Sequence, residues 1–142
     1  MITNERQLKI TKTQAQRFEQ ALVALSGAAS TLSPLLRRAE REALESQLHT
    51  LRSEIAQYES LRCGEQQVFH GESLADLPHL LIKARIVRGL TQKDLAERMG
   101  LKEQQIQRYE GTGYASASLQ RVQKVIEALD VQVSEQVLLA AR

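Results

Sequence analysis

Apolar residues recur at three-to-four spacing between Thr11 and Ser26, at Ala15, Phe18, Ala21, Leu22 and Leu25, and that period predicts an amphipathic helix. Thr13-Gln14-Ala15-Gln16 has the form of a capping box at its start. After Gly27-Ala28-Ala29-Ser30, the pair Ser33-Pro34 predicts a second start, because serine accepts from free helix N–H groups and proline suits the first helical position. Nothing breaks the pattern from Pro34 to about Arg62, a helix roughly 40 Å long. Leu44, Leu48, Leu51, Ile55 and Tyr58 fall along it at alternating four- and three-residue steps, the spacing of a coiled-coil seam.

The rest of that helix alternates Arg and Glu, the mark of a solvated face. Its seam exceeds what the shorter first helix can cover, which predicts a dimer or partner contact along it; packing on the remainder of the chain is the alternative. Residues 63–76 lose the period, carry Gly64 and Gly71, and read as a linker. Apolar periodicity resumes at Leu77, Leu81 and Ala84 and opens a second helical domain over 77–131. In the tail, 132–142, the alternation that starts at Val131-Gln132-Val133 permits a short strand or a dimer contact, while Leu138-Leu139-Ala140-Ala141 fits a helix equally well.

Composition supports an all-α chain: an antiparallel helical hairpin over residues 1–62, followed by the second helical domain. Of 142 residues 42% are apolar and 25% charged, a globular mixture, and with 4% aromatics and no Trp the strand formers are scarce. The lone Cys63 excludes an internal disulfide and four-cysteine zinc patterns. Met1 to Gln7 has no signal-peptide character, and no apolar run reaches the roughly 18 residues a membrane span needs. A soluble, cytoplasmic protein with no membrane partner is expected. The net charge of +2 excludes a bulk polycation, so any nucleic-acid contact must come from locally placed charge.

No His-Glu-x-x-His, glycine-rich phosphate loop or Gly-x-Ser-x-Gly occurs, and His49, His70 and His79 are isolated. The expectation is therefore no enzyme, with no catalytic residue, metal or cofactor.

The most informative stretch runs from Thr91 to Glu110. Thr91 and Asp94 form a capping box, Leu95 and Met99 share the inner face of a short helix, and Gly100 ends it by taking the left-handed conformation at no steric cost. The small Ala96 allows a following helix to approach closely, and Leu101, Ile106 and Tyr109 supply that helix's buried side. Two helices joined by a glycine-containing turn of this kind make a helix-turn-helix, whose second helix enters the major groove of DNA.

These residues resemble the XRE, or lambda-repressor/Cro-like, family: Arg85, Gly89 to Gln92, Asp94 to Ala96, Met99 to Leu101, Ile106, Arg108 and Glu110 stand where its pattern does. The resemblance covers about residues 77–131, including a later helix through Leu119, Val122, Ile126 and Leu129. It implies a lambda-repressor-like domain in which Glu103, Gln104, Gln107 and Arg108 face the bases, a solvated surface being the bland alternative for each. It also implies phosphate contacts by Gln92 and Lys93, with Lys102, Tyr114 and Ser116 added from the chain's own departures. Lys102 replaces the usual Ser/Thr cap, and Gly111-Thr112-Gly113-Tyr114 replaces a more basic loop, whose backbone N–H groups are candidate phosphate donors. Arg85 and Glu110 match positions that pair with each other, direct DNA contact by Arg85 being the alternative. The expected partner is a double-stranded DNA operator, bound at the nucleoid by a homodimeric repressor. An antitoxin of the HigA type, binding a toxin or other protein through the hairpin and repressing its own operon, is the competing reading.

Overall fold

The computed structural model describes residues 1–27 and 31–139. Helices α1 (Glu5–Ser26), α2 (Pro34–Arg62), α3 (Leu77–Val87), α4 (Gln92–Arg98), α5 (Glu103–Gly111) and α6 (Leu119–Leu129) follow in order, with a 3-10 turn at Leu74–Asp76. No strand occurs among the described residues. The chain divides into two compact units, one from Met1 to Glu65 and one from Gln66 onward.

The first unit is the hairpin of α1 and α2. Helix α1 begins six residues before the predicted Thr11. Asn4, in extended conformation, accepts from the Gln7 N–H at 2.9 Å, while the Gln7 side chain accepts from the Thr3 N–H at 2.8 Å. Thr13, read as a cap, lies mid-helix, where its hydroxyl donates to the Lys9 carbonyl at 2.9 Å. The longer helix buries Leu8, Ala15 and Leu25, and Ile2 just ahead of it.

That length changes the reading of the seam. On α2, Leu48, Tyr58 and Leu61 are buried and Leu44, Leu51 and Ile55 are half-buried, all in a hairpin whose other layer is α1. The expected surplus of uncovered apolar stripe rested on a shorter first helix; with 22 residues α1 covers Leu48, Tyr58 and Leu61 within the same chain and leaves Leu44, Leu51 and Ile55 half-buried. The register is antiparallel. Lys12 pairs with Glu59 at 2.5 Å, and seven residues further along α1 and seven back along α2, Glu19 pairs with Arg52 at 2.7 Å. Glu5 meets Arg62 at 2.6 Å and accepts from the Tyr58 hydroxyl at 3.3 Å.

The second unit gathers its core from α3 to α6. Ile82, Leu95, Ile106, Val125 and Leu129 are all essentially inaccessible to water. Burying an aliphatic side chain of this size stabilises a fold by about 1.5–3 kcal/mol. Two arginines fasten the end of α6: Arg98 donates to the Ala128 carbonyl at 3.0 Å, and Arg88 donates to the Asp130 carbonyl. Ahead of α3, Asp76 accepts from the Glu72 and Ser73 N–H groups at 2.9 and 3.0 Å, and these bonds hold its carboxyl below the usual carboxylate range. The tail from Val131 to Leu139 has neither helix nor strand.

Candidate nucleic-acid interface

Helix α4 starts at a reciprocal cap. The Thr91 hydroxyl accepts from the Asp94 N–H at 3.0 Å, and the Asp94 carboxylate accepts from the Thr91 hydroxyl and N–H at 2.7 and 2.8 Å. These bonds favour the ionised form and hold the Asp94 carboxyl below its ordinary range. At the other end Gly100 takes a φ of +66°, where a side chain is strained, and so lets the Leu101 N–H reach back to the Ala96 carbonyl at 2.8 Å. The chain then reverses over a few residues into α5. Lys102 cannot accept a backbone N–H with its side chain, but Gln105 caps the start of α5 from inside the helix, accepting the Lys102 N–H at 3.0 Å. Sequence reasoning left Gln105 without a role; its signal is a glutamine three residues after the cap, one half of a capping box.

The rear of α5 is locked by a buried charge network. Arg85 on α3 forks onto Glu110 on α5, with Nε donating to Oε1 at 2.6 Å and the terminal nitrogen to Oε2 at 2.7 Å. A further nitrogen of Arg85 donates to the Leu90 carbonyl at 2.9 Å. The side chains of the pair are 3% and 1% exposed. Arg85 is thus turned into the protein and away from any DNA surface. Gln92 at the start of α4 completes the network, its Nε2 donating to Glu110 Oε2 at 2.7 Å. Being 5% exposed and bonded inward, the Gln92 carboxamide does not serve as the expected phosphate contact. Its role is to join α4 to the pair that already joins α3 to α5.

Tyr114 also departs from expectation. It adopts a φ of +59° and is 4% exposed, and its ring stacks on Tyr109 with centroids 6.0 Å apart. Burial, with the Glu110 carboxylate nearby, raises the phenol well above its ordinary pKa. A hydroxyl so enclosed is unsuited to a phosphate. The loop amides are largely committed as well: the N–H groups of Thr112, Gly113, Tyr114, Ala115 and Ala117 all donate to carbonyls of the same turn. Ser116 remains exposed.

The front of α5 is different. Glu103, Gln104, Gln107 and Arg108 are exposed: Gln104 and Arg108 lie on the side of the helix away from the buried Ile106 and Glu110, Gln107 lies on its flank, and Glu103, in the phase of Glu110, is exposed in the first turn. Lys102 is exposed just ahead of them. Gln107 donates to Glu103 at 3.0 Å, one turn apart, whereas Arg108 makes no ion pair among the described residues. On α4, exposed Lys93 lies 3.9 Å from Glu97, a loose surface pair. The arrangement presents amide and guanidinium groups of base-reading chemistry from a helix whose back is held by three hydrogen bonds from Arg85 and Gln92 to Glu110 and by the buried Ile106.

Residues 81–136 match the family model described as helix-turn-helix. No curated protein and no solved structure matches the chain. No helix among the described residues is long and apolar enough to cross a membrane.

Proposed function

With residues 81–136 identified as a helix-turn-helix domain of the XRE type, a DNA-binding unit, we propose that the chain is a sequence-specific transcriptional regulator, acting as a non-enzymatic repressor. It reads the major groove with α5 and binds as a dimer, with two recognition helices about 34 Å apart on neighbouring turns of the operator. The observation that carries this reading is the two-sidedness of α5, with polar groups free to meet base edges on one side and a buried ion pair fixing the other. Arg108 suits guanine O6 and N7, Gln104 and Gln107 suit adenine, and Glu103 accepts from cytosine N4. Lys102, Lys93 and Ser116 flank that side as phosphate contacts.

The test is a pair of variants on a selected operator at fixed salt. Arg108→Ala should cost about 1–3 kcal/mol on the preferred site and relax the preference at one base pair. Lys102→Ala should weaken all sequences alike. If Arg108→Ala binds the preferred site as tightly as the parent, base reading by this face is refuted.

A second reading, an antitoxin or adaptor that holds a protein through the hairpin, is favoured by one observation. Leu35 and Leu36, adjacent at the start of α2, are 78% and 58% exposed, and Val23 near the end of α1 is 74% exposed, aliphatic side chains left in water on a unit that is compact by itself. Co-expression with the product of the adjacent gene tests it: a complex that survives purification with the parent chain and is lost with Leu35→Ser and Leu36→Ser supports it.

A further inference from the structure

Two features of the second unit are unused by the DNA-reading face. The first is a cavity of about 680 Å³ beside α3, with no residue of α4 or α5 in its lining. Leu77, Leu80, Leu81 and Ala84 form its floor, and the segments 68–73 and 131–136 form its walls. The second is the tip of the tail that follows the latter wall. Val137, Leu138 and Leu139 are 90%, 86% and 94% exposed, three consecutive large aliphatic side chains in water. Along the same tail, residues 132–139 make no backbone hydrogen bond among the described residues.

Together these point to an extended peptide as the occupant of the cavity. Unpaired N–H and C=O groups along one wall are the edge that an extended neighbour completes, and an apolar floor takes its side chains. The matching segment, Val137 to Leu139, is carried by the chain itself. It is poorly placed to fill its own cavity. Residues 131–136 already form a wall, so folding back demands a tight reversal at Glu135-Gln136-Val137, where no Gly, Pro, Asn or Asp is present to make one. A second copy needs no reversal.

We propose that the chain self-associates by tail exchange, the Val137-Leu138-Leu139 tip of each copy seating on Leu77, Leu80, Leu81 and Ala84 of the other. In a reciprocal exchange each copy fills the cavity of the other, both tips and both cavities are used up, and the assembly closes as a two-fold dimer. It rests on the dimeric part of the reading above and places the interface on the second unit. Because the contact lies beside α3 and leaves α5 free, association and base reading are separable.

The full-length chain is studied without DNA by sedimentation across a concentration series. The parent should be a dimer at micromolar concentration, and Leu138→Lys with Leu139→Lys should weaken association about a hundredfold. These side chains are exposed in the single copy, so the double variant folds, and it should still bind an isolated half-site like the parent's single subunit. A second measurement fixes the geometry. In a Cys63→Ser background, Leu80→Cys and Leu138→Cys chains are mixed and mildly oxidised; a disulfide joining the two different variants can form only between copies. Tail exchange is overturned by a parent that stays monomeric, by a double-lysine variant as dimeric as the parent, or by absence of the mixed disulfide. None of these outcomes touches the Arg108 test, which reads the DNA face of a single subunit.

Discussion

In the hairpin the cross-helix ion pairs stand in water: the Lys12 and Glu59 side chains are 49% and 50% exposed, and those of Arg52 and Glu19 are 63% and 46% exposed. In the helix-turn-helix unit the Arg85–Glu110 pair is enclosed, and the five largest fully buried side chains among the described residues all lie in the same unit. The same chemistry performs two tasks. Exposed pairs set register at little gain in stability, because water and mobile side chains dilute them. The enclosed pair is a positioning device: its charges tolerate burial only while the fork and the Gln92 bond stay intact, so α3, α4 and α5 have one permitted arrangement.

Removing one member of the enclosed pair should therefore have the largest effect. Glu110→Ala leaves the Arg85 charge buried without its partner and should destabilise the second unit by about 3–5 kcal/mol, measured by chemical denaturation. The double variant Arg85→Met with Glu110→Leu should recover much of that loss while weakening operator binding, because the fold can be restored without restoring the geometry. A double variant as unstable as the single one would break the comparison. In the hairpin the main loss should come from the apolar layer. Leu48→Ala should cost about 2–3 kcal/mol by the same measurement, and Leu48→Lys with Leu51→Lys should unfold the hairpin, read as lost helix signal. The smallest effect belongs to the surface pairs. Lys12→Ala should change hairpin stability by less than about 1 kcal/mol, and a larger loss would show that the ion pairs hold the hairpin together.

Much of the fold was legible because its punctuation is local. Ser33-Pro34, Thr91 with Asp94, and Gly100 mark helix ends by chemistry that acts within four residues: α2 begins at the first, α4 begins at the second and stops just ahead of the third. The start of α1 was obscured because the Thr13-to-Gln16 spacing imitates a cap wherever it falls in a helix, and the true cap at Asn4 lies ahead of the recognisable apolar period. The exposed side of α5 follows from helical phase once Ile106 is placed inside. Gln92 and Tyr114 could not be placed that way. Glutamine bonds equally well to a phosphate or to a buried carboxylate, and only the three-dimensional approach of Glu110 decides between them. Tyr114 is inside because it takes a left-handed φ, which tyrosine rarely adopts and local pattern does not announce.

The arginines that close the second unit set how it would respond to its ionic surroundings. Arg85 is enclosed with Glu110, whereas the exposed Arg98 and Arg88 each lend one nitrogen to a carbonyl, of Ala128 and Asp130, and keep their charge at the surface. Lys102 and Arg108 remain at the reading helix, with Lys93 beside Glu97. Each phosphate neutralised displaces roughly one condensed counterion from the duplex, and about two or three per subunit make about four to six for the proposed dimer. Occupancy of a site would then fall by about two to three orders of magnitude between about 50 and 200 mM salt, and the slope of that fall counts the cations that touch the duplex.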